Sequence, residues 1–348
     1  MKKSVLSLAV LTALAGLASG AQAQSSVTLF GVLDLNANQI KNGSAGSMKG
    51  LSQGALNTSR LGLRGIEDLG GGMSAAFHLE GQINPDNGTV TSVFWNRRST
   101  VSLLGGWGEL RLGRDYNPSS RNTYLFEPYI GTSVGTVLNF TLAPTATLGS
   151  GATTALRTNN AVAYFLPKGL GGIYGEAMVA PSEGAPGNKY LGARLGYNAG
   201  AFDISAAYGT TKTATTNDFK QWNIGASYTL GSVTLKGLYN VHEYGALKQK
   251  TTALGASVPM GAGEFRAMVA ANKRDGGTAG TGFANGDDSR LLSAGYVHNL
   301  SKRTALYGFV GRISNDGSAR LTVDGSSPAA MLAGETSSGY QLGITHRF

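Results

Sequence analysis

Apolar side chains recur at every second position through most of this chain. Val27-Thr28-Leu29-Phe30-Gly31-Val32-Leu33-Asp34-Leu35 is the first such segment, and Tyr340-Gln341-Leu342-Gly343-Ile344-Thr345-His346-Arg347-Phe348 is the last. The same alternation runs through Leu61–Ile66, Ala76–Glu80, Tyr190–Tyr197, Trp222–Tyr228 and Val233–Tyr239. A period of two marks a β-strand with one apolar face and one polar or tiny-residue face. The breaks between strands come in two lengths. Short Gly- or Asn-rich breaks fall at 69–72, 105–108, 168–172, 198–201, 230–232, 260–263 and 300–303. Longer polar stretches fall at 40–54, 84–92, 115–155, 181–188, 210–218, 243–249, 274–288 and 315–336. Seven short and eight long connections predict sixteen strands.

The chemistry of the two faces decides what surrounds those strands. A soluble sandwich buries its apolar faces and turns charge outward. Here the alternate positions are Gly, Ser, Thr, Asn or Arg, which suits water inside and lipid outside. Closure into a barrel then pairs every backbone group in a solvent that offers no partner. An even strand count, short turns at one end and long loops at the other predict an all-β fold, a 16-stranded antiparallel transmembrane β-barrel. Trp95, Trp107, Tyr164, Phe165, Trp222, Tyr228 and Phe348 lie near strand ends, where aromatic girdles form.

The amino terminus reads as an address. Lys2-Lys3, the apolar run Val5–Leu17 and Ala21-Gln22-Ala23 are the three parts of a cleaved export signal over 1–23. That leaves 24–348 as one barrel domain. Without the signal, 27 basic residues stand against 20 acidic ones, a formal charge of +7. The chain has no cysteine and four histidines, which excludes disulfide scaffolds, thiolate metal sites and a cysteine nucleophile. No cofactor, metal or catalytic residue is expected. Gly62-Leu63-Arg64-Gly65 and Gly70-Gly71-Gly72 lack the strand–loop–helix setting of a phosphate loop. The basic residues are scattered rather than gathered in a module that would hold nucleic acid.

Several segments resemble a known family. Val27–Asp34, Ser59-Arg60-Leu61-Gly62-Leu63-Arg64-Gly65 followed by Glu67-Asp68-Leu69-Gly70-Gly71-Gly72, Gly108-Glu109-Leu110-Arg111-Leu112-Gly113-Arg114, and the terminal His346-Arg347-Phe348 are similar to Gram-negative trimeric general porins, β-proteobacterial branch. The resemblance implies a passive diffusion channel for small hydrophilic solutes in the cell outer membrane. It also implies a third loop folded into the lumen and a homotrimer joined through 27–35, 84–93 and 339–348. Phe348 resembles the signal read by the barrel-assembly machinery, and lipopolysaccharide is an expected neighbour.

Parity selects residues for the narrowest point. Leu61 and Leu63 face lipid, so Arg60 and Arg64 face the lumen; Val101 and Leu103 place Arg98 there too. Val162, Tyr164 and Leu166 leave Arg157 on the inner face. By motif position Arg60, Arg98 and Arg157 resemble the family's basic cluster opposite the third loop. Between 115 and 155 the only acids are Asp115 and Glu127, with Glu80 on the wall beside His78. Arg97 has the opposite parity, which assigns it to a subunit interface or a strand end. The excess of arginine predicts anion preference. A substrate-specific channel for organic anions or sugars, and more remotely a barrel enzyme or adhesin, remain alternative readings of the sequence.

Overall fold

The structure is a computed structural model that describes residues 26–129, 132–141, 154–184, 189–215, 217–326 and 328–348; the export signal expected over 1–23 lies outside the described residues. Eighteen strand segments follow one another. They are β1 (Ser26–Asn42), β2 (Ser47–Gln53), β3 (Arg60–Gly70), β4 (Met73–Asn84), β5 (Thr89–Val90) and β6 (Arg98–Gly105). Next come β7 (Gly108–Tyr116), β8 (Arg157–Phe165), β9 (Ile173–Ala180), β10 (Lys189–Asn198), β11 (Phe202–Lys212) and β12 (Asp218–Leu230). The series ends with β13 (Val233–Tyr244), β14 (Leu247–Met260), β15 (Gly263–Asp275), β16 (Ser289–Asn299), β17 (Thr304–Asn315) and β18 (Ser337–Arg347).

Their pairing gives sixteen staves. β1 pairs β2 over Leu35–Lys41 and β3 over Ser26–Val32, so β2 and β3 are two halves of one stave interrupted at 54–59. β5 pairs only Ile83 and Asn84 of β4 and is a spur on that hairpin. All pairings are antiparallel, and β1 closes on β18 along Val32–Asn42. At the seam Gly31 N donates to the Phe348 carbonyl at 3.0 Å and Phe348 N to that of Gly31 at 3.1 Å. The closed sheet leaves no free edge, which is what a lipid surround demands.

The faces are inverted relative to a soluble protein. Leu254 and Leu292 are 61% and 62% exposed on the outside, whereas Gln249 and Asn272 on inner positions are 0% exposed. Trp107, Tyr164, Trp222, Tyr228 and Phe348 are exposed as girdle residues should be. Phe165 departs from that expectation: it points inward, with the Arg111 guanidinium 4.1 Å above its ring. Trp95 packs edge-on against Phe94 in the segment before β6.

Two expected loops are corrected. The polar stretch 243–249 is a two-residue turn, because β13 runs to Tyr244 and β14 restarts at Leu247. The stretch 40–54 contains β2, whose polar outer positions hid its alternation. The last long loop is tied back to the first: the Ser44 backbone N–H donates to Glu335 Oε2 at 2.9 Å and the Ser44 hydroxyl at 2.7 Å. Those bonds hold the exposed Glu335 carboxyl below the usual carboxylate range.

The loop after β7 turns into the barrel. Asn117 caps its first helix, α1 (Pro118–Leu125), by accepting the Ser120 N–H at 2.8 Å, with Pro118 at the first helical position. Asn122 bonds Asn223 at 2.7 Å and the Ser205 carbonyl at 3.1 Å, fixing α1 to the wall. Farther on, the second helix α2 (Leu138–Thr141) places the Phe140 carbonyl where Gln249 donates at 2.7 Å. Val134 N donates to Gln341 at 2.9 Å, carrying the loop across to β18. Phe126, Tyr129, Val134 and Phe140 are buried between loop and wall, so this seam is the molecule's main apolar core. Small residues make the contact possible. A Cβ on Gly225 would lie 2.1 Å from Phe126 Cδ2, and one on Gly311 2.1 Å from the Val134 carbonyl oxygen.

Candidate functional site

Where this loop leaves the wall, a basin of about 680 Å³ opens between its root and strands β3, β4, β6 and β7. Its position follows from how the second stave restarts. Asp34 N donates to Ser59 Oγ at 2.9 Å, and Asn57 N donates to Asp34 Oδ2 at 2.9 Å. Tyr307 donates to the same carboxylate at 2.5 Å. These bonds pin the break at 54–59, so Arg60 enters β3 at a fixed height with its side chain inward.

Arg60 lies opposite Gln82, and its Nη1 is 3.7 Å from Glu80 Oε1. Arg98 lies opposite Glu80 in register, donates to Thr100 at 3.0 Å and sits 3.8 Å from Asp115. Arg64, opposite His78, also lines the basin, with its guanidinium 5.2 Å above Phe30. Glu80 is held by His78 at 3.3 Å and by Arg97 Nε at 2.5 Å. Asp115 takes Arg111 at 2.6 Å and Arg121 at 3.1 Å. Arg121 reaches on to Glu176 at 3.1 Å, which Arg194 meets at 3.1 Å from the other side.

Two corrections to the sequence reading concern side-chain direction. Arg97 sits at a strand end, directly before β6, as one of its two assignments had it, but its side chain turns into the basin against the inferred parity, because parity does not govern a residue outside the strand; its N–H donates to the Glu80 carbonyl at 3.1 Å. Glu127, expected at the narrowest point, is 0% exposed and turned into its own loop. It accepts the Thr136 hydroxyl at 2.6 Å and the Val137 N–H at 2.9 Å. Arg157 joins the cluster through Tyr116, lying 4.0 Å above that ring, bonding its hydroxyl, and donating to the Arg97 carbonyl at 2.8 Å. Burial and the neighbouring Tyr116 push the Tyr124 phenol on α1 far above its usual range, so it stays neutral beside these cations.

Sequence reasoning counted Arg121 among the charges of the inward loop without giving it a place at the constriction, and missed Arg111, Arg194 and Glu176. The alternation did contain Arg194 and Glu176, which share the inner face as a cross-strand pair. Arg121 carried no strand signal because it sits on a helix. Six arginines (Arg60, Arg97, Arg98, Arg111, Arg121 and Arg194) pair with four carboxylates (Glu80, Glu109, Asp115 and Glu176), and Arg64 and Arg157 stand beside them with no ion pair among the described residues, leaving four positive charges in excess. Exposure sharpens the asymmetry. The Arg60 and Arg98 side chains are 25% and 24% exposed, against 3% for Asp115 and 0% for Glu176. Asp115 and Glu176 lie behind the guanidiniums, while Glu80 and Glu109 keep 14% and 20% exposure beside Arg97 and Arg111. Arg60, Arg98 and Arg121, at 25%, 24% and 23%, are the most exposed of these paired charges, so water in the basin meets cations first.

Comparison with known proteins agrees with this architecture. The family model described as Gram-negative porin matches residues 9–318. The chain is 36% identical to outer membrane porin protein 32 of Delftia acidovorans, over 100% of both chains. It is 27% identical to an outer membrane porin protein of Bordetella pertussis, again over 100% of both. Among solved structures, the anion-selective porin from Comamonas acidovorans superposes with a TM-score of 0.82 at 34% identity, covering 93% of this chain and 100% of that one. A closed sixteen-stave barrel with an inward loop, matched over most of its length by porins, places this chain in the Gram-negative porin family as a non-enzymatic channel of the outer membrane.

Proposed function

We propose that this porin is a passive diffusion channel that prefers anions, with the arginine-faced basin at the root of the inward loop as its constriction. The observation that carries this reading is the burial order: Arg60 and Arg98 face water while Asp115 and Glu176 lie behind them. Arginine does not lose its proton in the useful range, so the field is constant. It lowers the barrier for anions and raises it for cations. The name of the Comamonas acidovorans structure, an anion-selective porin, supports the same choice. A homotrimer, cleavage after Ala23 and recognition of Phe348 during assembly belong to the same proposal.

Reversal potential in a planar bilayer under a KCl gradient tests the selectivity. Chloride preference should be strong near 0.1 M salt and fade near 1 M, because the screening length falls from about 10 Å to about 3 Å. Potassium preference at low salt would refute the reading. Steps grouped in threes would support the trimer.

The inward loop should also respond to its glycine seat. Gly311→Val pushes a side chain against the Val134 carbonyl, which has no rotamer to yield. Overpacking of this kind costs about 1–3 kcal/mol and drives the loop tip off the wall toward the pore axis. Single-channel conductance is expected to fall while far-ultraviolet circular dichroism keeps its β signature. Unchanged conductance would show that the tip does not bound the pore.

A further inference from the structure

The segment His346-Arg347-Phe348 divides between two surroundings. His346 and Phe348 share the outward parity of Leu342 and Ile344, the exposed apolar residues before them on β18. Arg347 has the opposite parity, that of Gln341 and Thr345, whose side chains are buried on the inner wall. Register then fixes its height. Arg347 lies opposite Val32 of β1, and Val32 lies opposite Arg60 on its other side. The row Arg347, Val32, Arg60, Gln82 therefore crosses four staves at one level of the lumen. With neighbouring strands about 4.8 Å apart, the two arginine backbones stand about 10 Å apart across Val32.

Arg347 is exposed at this level and lines the same basin as Arg60. Its Nη2 donates to Asn57 Oδ1 at 3.4 Å, which turns the guanidinium toward the break at 54–59. Asn57 is itself fixed: its backbone N–H donates to Asp34 Oδ2 at 2.9 Å and its side-chain amide to Thr345 Oγ1 at 3.4 Å. No carboxylate pairs with Arg347 among the described residues. The next acid along β1, Asp34 opposite Thr345, is 0% exposed and already accepts from Asn57 and Tyr307. Arg60, by contrast, is 25% exposed and shares Glu80 with Arg97. An exposed guanidinium that is unpaired and permanently charged gives its whole field to the water beside it.

We propose that Arg347 is a specificity-determining residue of the pore, and that small inorganic anions such as chloride pass between its guanidinium and that of Arg60. The inference deepens the anion preference proposed above and rests on it. The positive face of the lumen then spans the seam, from β18 across β1 to β3, instead of beginning at β3. One terminal motif serves two media: Phe348 stands on the lipid side and Arg347 on the water side.

The chain has no cysteine, so Arg347→Cys supplies a single thiol for replacing the charge in the folded protein. Channels are recorded in a planar bilayer under a KCl gradient near 0.1 M, before and after a methanethiosulfonate reagent. Arg347→Cys should lower the anion-to-cation permeability ratio about threefold, the share of one charge about 6 Å from the path at that screening length. Labelling with the trimethylammonium reagent should restore the ratio, and labelling with the sulfonate reagent should lower it further. Both readings come from the same conducting channels, so a folding defect cannot imitate them. Arg347→Lys should keep the parent's ratio. His346→Cys, one residue away on the outer face, should respond to neither reagent. A chloride-preferring parent whose ratio is unmoved by Arg347→Cys and by both reagents would overturn the proposal and leave the anion reading intact. Equal responses of the two cysteine variants would overturn it too, by placing both side chains in one surrounding. A parent that prefers potassium would refute the anion reading and this proposal with it.

Discussion

Replacing Arg60 and Arg98 together by glutamine should reduce the anion-to-cation permeability ratio of this porin about tenfold at low salt. A unit charge about 6 Å from an ion's path is worth about 0.7 kcal/mol even at the dielectric constant of water. Each charge acts with opposite sign on anion and cation, so two of them separate the barriers by about 2.8 kcal/mol unscreened; a screening length of about 10 Å at 0.1 M salt roughly halves this to about 1.4 kcal/mol, a factor of about ten. The choice of residues matters more than the number removed. Arg60 and Arg98 are the water-facing members of the cluster, and neither is the principal partner of a buried acid. Glu80 would keep Arg97 at 2.5 Å, and Asp115 would keep Arg111 at 2.6 Å. The barrel should therefore fold as before, and the change should appear as a shift in reversal potential. Arg97→Gln is the contrasting case. It strips Glu80 of its closest cation, and breaking a buried pair costs about 3–5 kcal/mol. That variant should lose thermal stability before its selectivity can be read. If the double glutamine variant keeps the parent's reversal potential, the constriction lies elsewhere in the lumen.

Glu127→Ala is expected to unlatch the inward loop. Its carboxylate is the acceptor for both the Thr136 hydroxyl and the Val137 N–H. Removing it leaves two buried donors without that acceptor, at about 1–3 kcal/mol each. At the lower bound the undocked population still rises about fivefold per donor, by the relation of free energy to equilibrium constant. Single-channel records should show more frequent partial closures, while melting of the barrel shifts little because no sheet hydrogen bond is touched. Glu127→Gln keeps one acceptor oxygen and should fall between the two. Records from the alanine variant as quiet as the parent's would show that the apolar seat and the wall bonds of Asn122, Val134 and Phe140 hold the loop without Glu127.

The period-two pattern made the barrel legible because every stave must show one face to lipid and the other to water. It also put Arg60, Arg64 and Arg98 on the inner wall, since each sits within or at the start of a regular strand. The rule stopped working where regularity stopped. Arg97 belongs to the turn before β6, and its direction is set by Glu80 rather than by alternation. Arg157 lies beyond a bulge: the register of β7 and β8 shifts between Gly113 and Asp115, where Asn160 takes a φ of 53°. A single inserted residue reverses parity beyond it, so counting back from Val162 could not fix where Arg157 points. Glu127 was misread for a different reason. A carboxylate in a loop that enters water appears exposed in sequence, yet this loop makes its own hydrogen-bond demands and Glu127 answers them. The tight turn at Gly245 shows the same limit, because polar composition alone does not separate a loop from the rim of a long strand.

The seam between the first and last strands has a consequence for biosynthesis. Gly31 and Phe348 exchange backbone hydrogen bonds and β18 pairs β1 from Val32 to Asn42, so the first strand of the barrel waits for the last before it gains its second partner. Until then a growing sheet would present two raw edges, which hydrocarbon does not tolerate. Contacts spanning almost the whole sequence are also the slowest to form. Closure therefore depends on β18 as a whole: eleven register pairs, Val32–Asn42 against Ser337–Arg347, join the two ends, and a barrel without β18 would leave both β1 and β17 with an unpaired edge in lipid.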